Sequence, residues 1–293
     1  MTPIRSGLAI AALALLATAP ATNTAPATTS AANARATDSP ATASQATGVD
    51  MQAVLVAAQI DPRRADQSST PGAAPSVTAV ERALQAEGLL PAGFVDGHFG
   101  TRTVAAYAAY QRSLGFSGIG ASGLPGAQSL RSLGTGRFDV THVVRPGERT
   151  EHGGKQVNTR TKAMLTEAER ILGRELVLDQ GSYNPGGDPT SAGTHDGGGA
   201  VDISVTGMDT AARTDVVRVL REVGFAAWDR TPGQGDWPHH IHAVAISDPD
   251  LSSPAQEQTG DYYLGKNGLA NHAPDDGPKV EPIRTWEEYQ RTN

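Results

Sequence analysis

The residues most able to do chemistry fall in two clusters in the C-terminal half. In the first, Ser191-Ala192-Gly193-Thr194-His195-Asp196-Gly197-Gly198-Gly199 leads into the apolar run Ala200-Val201-Asp202-Ile203-Ser204-Val205. A carboxylate inside an apolar strand is costly to bury unpaired, so Asp202 needs a metal, a cation or several hydrogen-bond donors. The second cluster, Asp236-Trp237-Pro238-His239-His240-Ile241-His242, holds three of the eight histidines. In a strand His240 and His242 share a face and His239 turns to the other. One carboxylate and two imidazoles make a three-ligand zinc set whose fourth position is left for water. Water on such an ion ionises near neutral pH and can attack a carbonyl. Alone, each cluster reads equally well as structural: a histidine patch, or a carboxylate bracing a loop. Together, separated by one helix and one strand, they point to a site.

Composition narrows the alternatives. The chain of 293 residues has no cysteine, which excludes a disulfide framework and a thiol nucleophile. It has no Gly-x-Ser-x-Gly elbow, so a serine-nucleophile route is disfavoured. A net charge of -7 and a pI near 5.6 argue against nucleic acid as partner. Met-Thr-Pro-Ile-Arg, then an apolar run of about 12 residues and small side chains, reads as a secretory signal within 1–31. That run is shorter than the ~20 residues a membrane helix needs, so no stable membrane insertion is expected after cleavage. A secreted location follows.

The elements that must position these residues can be read from periodicity. Residues 32–75, rich in Ala, Thr, Ser and Pro, are expected to be a disordered linker, with a short helix at 51–60 as its one interruption. Val80, Ala83 and Leu84 before Gly88 predict one helix, and Val104, Tyr107, Ala108 and Gln111 before Gly115 a second. A third is expected over 125–133, making a small three-helix module at 76–135. Residues 135–154 read as a linker. Beyond it, helices are predicted at 159–172 (capped by Asn158 or Thr159) and 209–223. Strands are predicted at 176–178, 200–205, 225–228 and 241–246. Residues 257–264 and the Trp286/Tyr289 pair suggest short helices in the tail. The expected fold class is α+β, with a small antiparallel sheet in a second domain at 136–293.

The first module resembles the peptidoglycan-binding domain of wall hydrolases. The resemblance rests on Leu84-Gln85, Val95-Asp96-Gly97-His98-Phe99-Gly100, Tyr110-Gln111, Leu114-Gly115, Gly123, Gly126, Leu130 and Leu133. It departs from the pattern at Gly100-Thr101, where Gly-Pro is usual. The second domain resembles the zinc D-alanyl-D-alanine carboxypeptidases and dipeptidases and the L-alanyl-D-glutamate endolysins. His195 and Asp202 match the spacing of that superfamily's first two ligands, although Ser191 lies farther from His195 than the usual serine. The third ligand has two registers. With His239 as ligand, Asp236 is the implied base. With His242 as ligand, His239 occupies the base position and His240 is a possible transition-state donor. His242 is preferred, because Ile241-His242-Ala243-Val244 continues a strand while Pro238 keeps His239 near its mouth. The family's Ser-Gly-Tyr-Arg stands here as Ser182-Tyr183-Asn184 after Gly181, without the arginine that helps bind substrate.

These resemblances imply an exported zinc (Zn2+) hydrolase of peptidoglycan amides, associated with the cell wall. The competing expectation is a wall-binding protein whose peptidase fold no longer turns over.

Overall fold

The structure, a computed structural model, describes residues 47–293. The expected signal peptide and the linker up to residue 46 lie outside the described residues. The remainder of the expected linker is built into the fold, which corrects that expectation. Strand β1 (Thr47–Asp50) runs into helix α1 (Met51–Ile60), whose N-cap Asp50 accepts a hydrogen bond from Ala53 N. The reason is physical: Met51, Val54, Leu55, Ala57, Ala58 and Ile60 make α1 apolar on nearly every side. Such a helix is stable only when surrounded. All six side chains are buried.

Helices α2 (Ala74–Ala86), α3 (Thr101–Ser113) and α4 (Ala127–Gly134) follow. They bury Val77, Val80 and Leu84, then Ala106, Tyr107 and Tyr110, then Leu130 and Leu133, in one core with α1. The loop at 96–100 is fastened from beneath. Buried Glu81 accepts from Asp96 N (3.0 Å), Gly97 N (2.8 Å) and Thr103 Oγ1 (3.0 Å). Asp61 accepts from Phe99 N (2.9 Å) and Thr70 Oγ1 (2.7 Å). Gln111 donates to Leu124 O (2.8 Å) and accepts from Gly123 N (2.9 Å). Several motif residues of this segment therefore tie loops to helices. The strand β2 (Phe138–Thr141) pairs in parallel with β1, Thr47 opposite Phe138 and Asp50 opposite Thr141.

The expected linker at 135–154 also carries structure. Besides β2 it holds β3 (Arg149–His152), which forms an antiparallel pair with β4 (Lys155–Asn158). Helix α5 (Thr159–Leu172) is capped by the Asn158 side chain and stopped by Gly173 in the left-handed region (φ 64°). Then come β5 (Leu178–Gln180), β6 (Ala200–Ser204), α6 (Thr210–Glu222), β7 (Phe225–Arg230) and β8 (His240–Ala245). The chain closes with α7 (Ser253–Tyr263) and α8 (Trp286–Thr292). Mixed helix and strand of this kind is an α+β fold.

Strands β5 to β8 form one antiparallel sheet in the order β5-β6-β8-β7. Its register sets two faces. Val201, Ile203, Phe225, Ala227, Ile241 and Ala243 pack with α5 and α6 in a second core. The opposite face carries a row of paired residues, Gln180–Asp202–His242–Trp228, and beside it Ser204–His240–Arg230. Farther along that face Ala200, Ala226 and Val244 join the core that contains α1 and α2. Helix α7 lies between α1 and this face of the sheet. Gly260 lets α7 close on α1, because a side chain there would collide with the Gln59 carbonyl. Arg63 beyond α1 pairs with Asp261 of α7 at 3.0 Å.

Candidate metal centre

Three elements deliver three side chains to one point on that face. Asp202 and His242 are directly opposed on β6 and β8. His195 arrives from a single 3₁₀ turn, Thr194–Asp196, entered through Gly193 at φ 79°. At Gly197 a side chain would meet the backbone of residues 250–252, so the loop is pressed against the segment leading into α7. A metal ion could be held by His195, Asp202 and His242, whose ligand atoms all lie within 4.8 Å of one another.

The hydrogen bonds orient the two imidazoles. His195, 1 % exposed, donates from Nδ1 to Gly181 O at 3.0 Å. Its other ring nitrogen, Nε2, lies 3.3 Å from Asp202 Oδ1 and, although buried, has no hydrogen-bond partner among the described residues. His242 meets Gln258 Oε1 through Nε2 at 2.8 Å. The Gln258 amide nitrogen donates to Gly268 O (3.3 Å), so its oxygen must accept from His242. His242 Nδ1 then faces Asp202 Oδ1 at 2.7 Å. Two ring nitrogens and one carboxylate oxygen thus converge, each imidazole anchored at its far nitrogen by a carbonyl acceptor. This is how metal-binding histidines are commonly supported.

The charges follow from that convergence. Burial opposes ionising Asp202, but His195 and His242 against it outweigh burial and hold its carboxyl well below the usual range. Burial keeps the His242 imidazole down, with Asp202 only partly compensating. At His195 burial acts the same way but the carboxylate prevails, and the shift is upward.

A cavity of about 490 Å³ opens over these groups. His240 lines it: Nδ1 donates to Pro238 O at 2.7 Å, and Nε2 stands 3.6 Å from Asp202 Oδ1. The other two sequence candidates are elsewhere. His239 lies on the α6 side of the sheet, paired with Asp229 Oδ1 at 2.7 Å, and Arg213 of α6 holds the same carboxylate. Asp236 is exposed in the turn before β8 and does not line the cavity. Neither group implied as base by the resemblance is at the centre.

Two groups at the site escaped the sequence reading. Gln258 is one, on a helix that the sequence starts later than the structure does. The other is Arg230, which follows Trp228 by two residues in β7 and so shares its face. Asn184, in the place of the family's arginine, is exposed. Comparison of the chain with protein-family models, with curated proteins and with solved structures finds no match, so its chemistry is read from its own residues.

Proposed function

We propose that the chain is an exported zinc-dependent hydrolase of amide bonds in peptidoglycan peptides, held on the wall through residues 76–135. The observation that carries this reading is the convergence of His195 Nε2, His242 Nδ1 and Asp202 Oδ1, with both imidazoles braced from behind. Two nitrogens and one carboxylate oxygen suit zinc better than calcium or magnesium, which favour all-oxygen sets. Ligand atoms about 2.0–2.2 Å from a tetrahedral zinc lie roughly 3.3–3.5 Å apart. The 3.3 Å between His195 and Asp202 already suits this, and the 2.7 Å between His242 and Asp202 must open by a little over half an ångström. Three protein ligands leave an open position, which is the catalytic arrangement rather than the structural one.

Zinc, when bound, supplies a Lewis acid that polarises an amide carbonyl and acidifies water. The chain's own residues handle the proton. With Nδ1–H given to Pro238 O, His240 keeps a lone pair on Nε2 at the cavity. It takes a proton there and returns it to the leaving amine, the role the resemblance implied for an acid. Metal analysis of the purified protein and mass spectrometry of digested cell wall test the reading together. One zinc per chain and new amine ends in the wall peptides are expected, and Asp202→Ala should lose both. Wild-type protein that takes up no zinc would sink it.

A second reading has its own observation. The cavity lacks the expected base, since Asp236 is exposed and His239 is engaged by Asp229. A wall-binding protein that keeps the metal centre without turnover fits that absence. Stoichiometric zinc with intact wall peptides would select it.

A further inference from the structure

The turn that enters β8 presents an indole to the cavity. Trp237 lines it and is half-buried. Its ring stands edge-to-face with His240, centroids 6.5 Å apart, and His240 stands the same way to His242 at 6.4 Å. The indole is fixed from within its own turn. Nε1 donates to Thr231 O at 3.2 Å, and Gly235 lies against the six-membered ring, where any side chain would run into Cη2 and Cζ3. The polar edge is thus used up inside the turn, and what reaches the cavity is aromatic carbon. Gln234 is tied to the same residue, because Thr231 N donates to its Oε1 at 3.1 Å. A backbone N–H can only donate, so that end of the amide is oxygen. Nε2, without a hydrogen bond among the described residues, is left as a donor on a side chain that also lines the cavity. Asn271, from the loop after α7, repeats the arrangement. Ala273 N and Asn267 Nδ2 donate to its Oδ1 at 3.2 and 3.0 Å, which leaves Nδ2 as a donor.

None of these three groups hydrogen-bonds to the candidate metal centre, and the proton route through His240 does not use them. They carry no charge, so a charged ligand gains little from them. The face of an aromatic ring is electron-rich and attracts weakly positive C–H bonds. A pyranose offers such bonds on one side and a rim of hydroxyl and acetamido oxygens that accept from amide N–H groups. Two ring-to-ring steps, 6.4 Å from His242 to His240 and 6.5 Å from His240 to Trp237, span at most the length of about four extended residues. A sugar on Trp237 therefore lies within a short peptide's reach of the centre. We propose that Trp237, with Gln234 and Asn271, forms a saccharide subsite, so that the centre takes wall peptides still attached to an N-acetylated sugar. The link between subsite and cleavage rests on the reading of the centre as an amide hydrolase.

Calorimetric titration of the full chain, stripped by a chelator so that neither probe is cleaved, tests the assignment. The probes are N-acetylmuramyl-L-alanyl-D-isoglutamine and the same dipeptide carrying an acetyl group in place of the sugar. Wild type should bind the sugar-bearing probe about 3- to 10-fold tighter. Trp237→Ala should abolish that preference while its zinc content, measured after reloading, stays at the wild-type level. Trp237→Phe should keep part of it, and Gln234→Leu should lose part. Equal binding of the two probes by wild type, or binding of neither, overturns the proposal. So does an undiminished preference in Trp237→Ala, which would place sugar recognition elsewhere, the helical segment at 76–135 included. If Trp237→Ala does not fold, Trp237→Phe and Gln234→Leu decide: a full preference in both is fatal. Failure of the hydrolase reading looks different, because the sugar preference then stands while zinc-loaded protein leaves wall peptides intact.

Discussion

Each imidazole of the centre is held from behind, His195 by the Gly181 carbonyl and His242 by Gln258. The two supports differ in kind. A backbone carbonyl cannot be removed by mutation, but a glutamine can. Gln258→Leu keeps the bulk and removes the acceptor, so His242 loses the partner that fixes its tautomer and ring plane. Losing the hydrogen bond that supports a metal-binding histidine weakens metal binding by about 10- to 100-fold. Zinc affinity measured by competition with a chelator should fall by that much, whereas His239→Ala should leave it unchanged. Unchanged affinity in Gln258→Leu would mean that His242 needs no support from α7. The contrast also marks what the sequence could disclose. His195, Asp202 and His242 stand out because they are ionisable residues in or beside apolar strands. Gln258 and Arg230 come to the centre only through long-range pairing, α7 onto the sheet and β7 onto β8, and nothing in their neighbours announces that. Asp236 and His239 had the right spacing to a ligand, but spacing is silent about the turn that leaves one in solvent and the strand face that gives the other to Asp229.

At the scale of elements, the helices with an apolar stripe and an evident cap were legible: α5 with Asn158 and Gly173, α6 with Asp209. Strand ends were less so. Leu176 and Leu178 are both buried around exposed Val177, an alternation that marks a strand without fixing its limits, and β5 begins two residues later than its pattern suggests. The parallel β1–β2 pair was invisible because its halves are far apart in the chain. The loop at 96–100 was legible as a turn, but its buried support, Glu81, was not. Burial pushes the Glu81 carboxyl up to about 7, and the hydrogen bonds from Gly97, Thr103 and Asp96 only partly offset this. The native state therefore binds a proton that the unfolded chain, with an ordinary carboxyl near 4.5, releases between those pH values. The contribution of Glu81 to stability is largest below about pH 4.5 and falls as pH rises to about 7, by something on the order of 1–3 kcal/mol. Glu81→Gln retains the geometry, because its oxygen can accept from both loop N–H groups and its nitrogen can donate to Thr103. Urea denaturation from pH 4.5 to 8 should show the variant gaining on wild type as pH rises. A constant difference across that range would place the titration elsewhere.

For the whole molecule the decisive element is α1, the helix the sequence left inside a linker. Leu55, Val77 and Leu84 share a core with Trp228, Val244 and Tyr262, so the helical segment and the sheet that carries the candidate metal centre are packed through α1 and α7. Gln258 stands on α7, and α7 rests on α1. The bracing of His242 is thus linked to a helix that precedes it by about 180 residues in the chain. Cutting out 76–135 alone would strip Val77, Val80 and Leu84 of part of their cover, so wall binding by this segment is better measured on the intact chain. The coupling can be read directly, because all three tryptophans, Trp228, Trp237 and Trp286, lie far from α1 in sequence. Leu55→Ala removes a fully buried side chain and should cost about 2–5 kcal/mol. If the core is one cooperative unit, tryptophan fluorescence should report that loss as a lower urea midpoint with an unchanged slope. A tryptophan transition that stays at the wild-type midpoint, while far-ultraviolet circular dichroism shows helix melting earlier, would mean that the two parts unfold separately and that α1 supports only its own half.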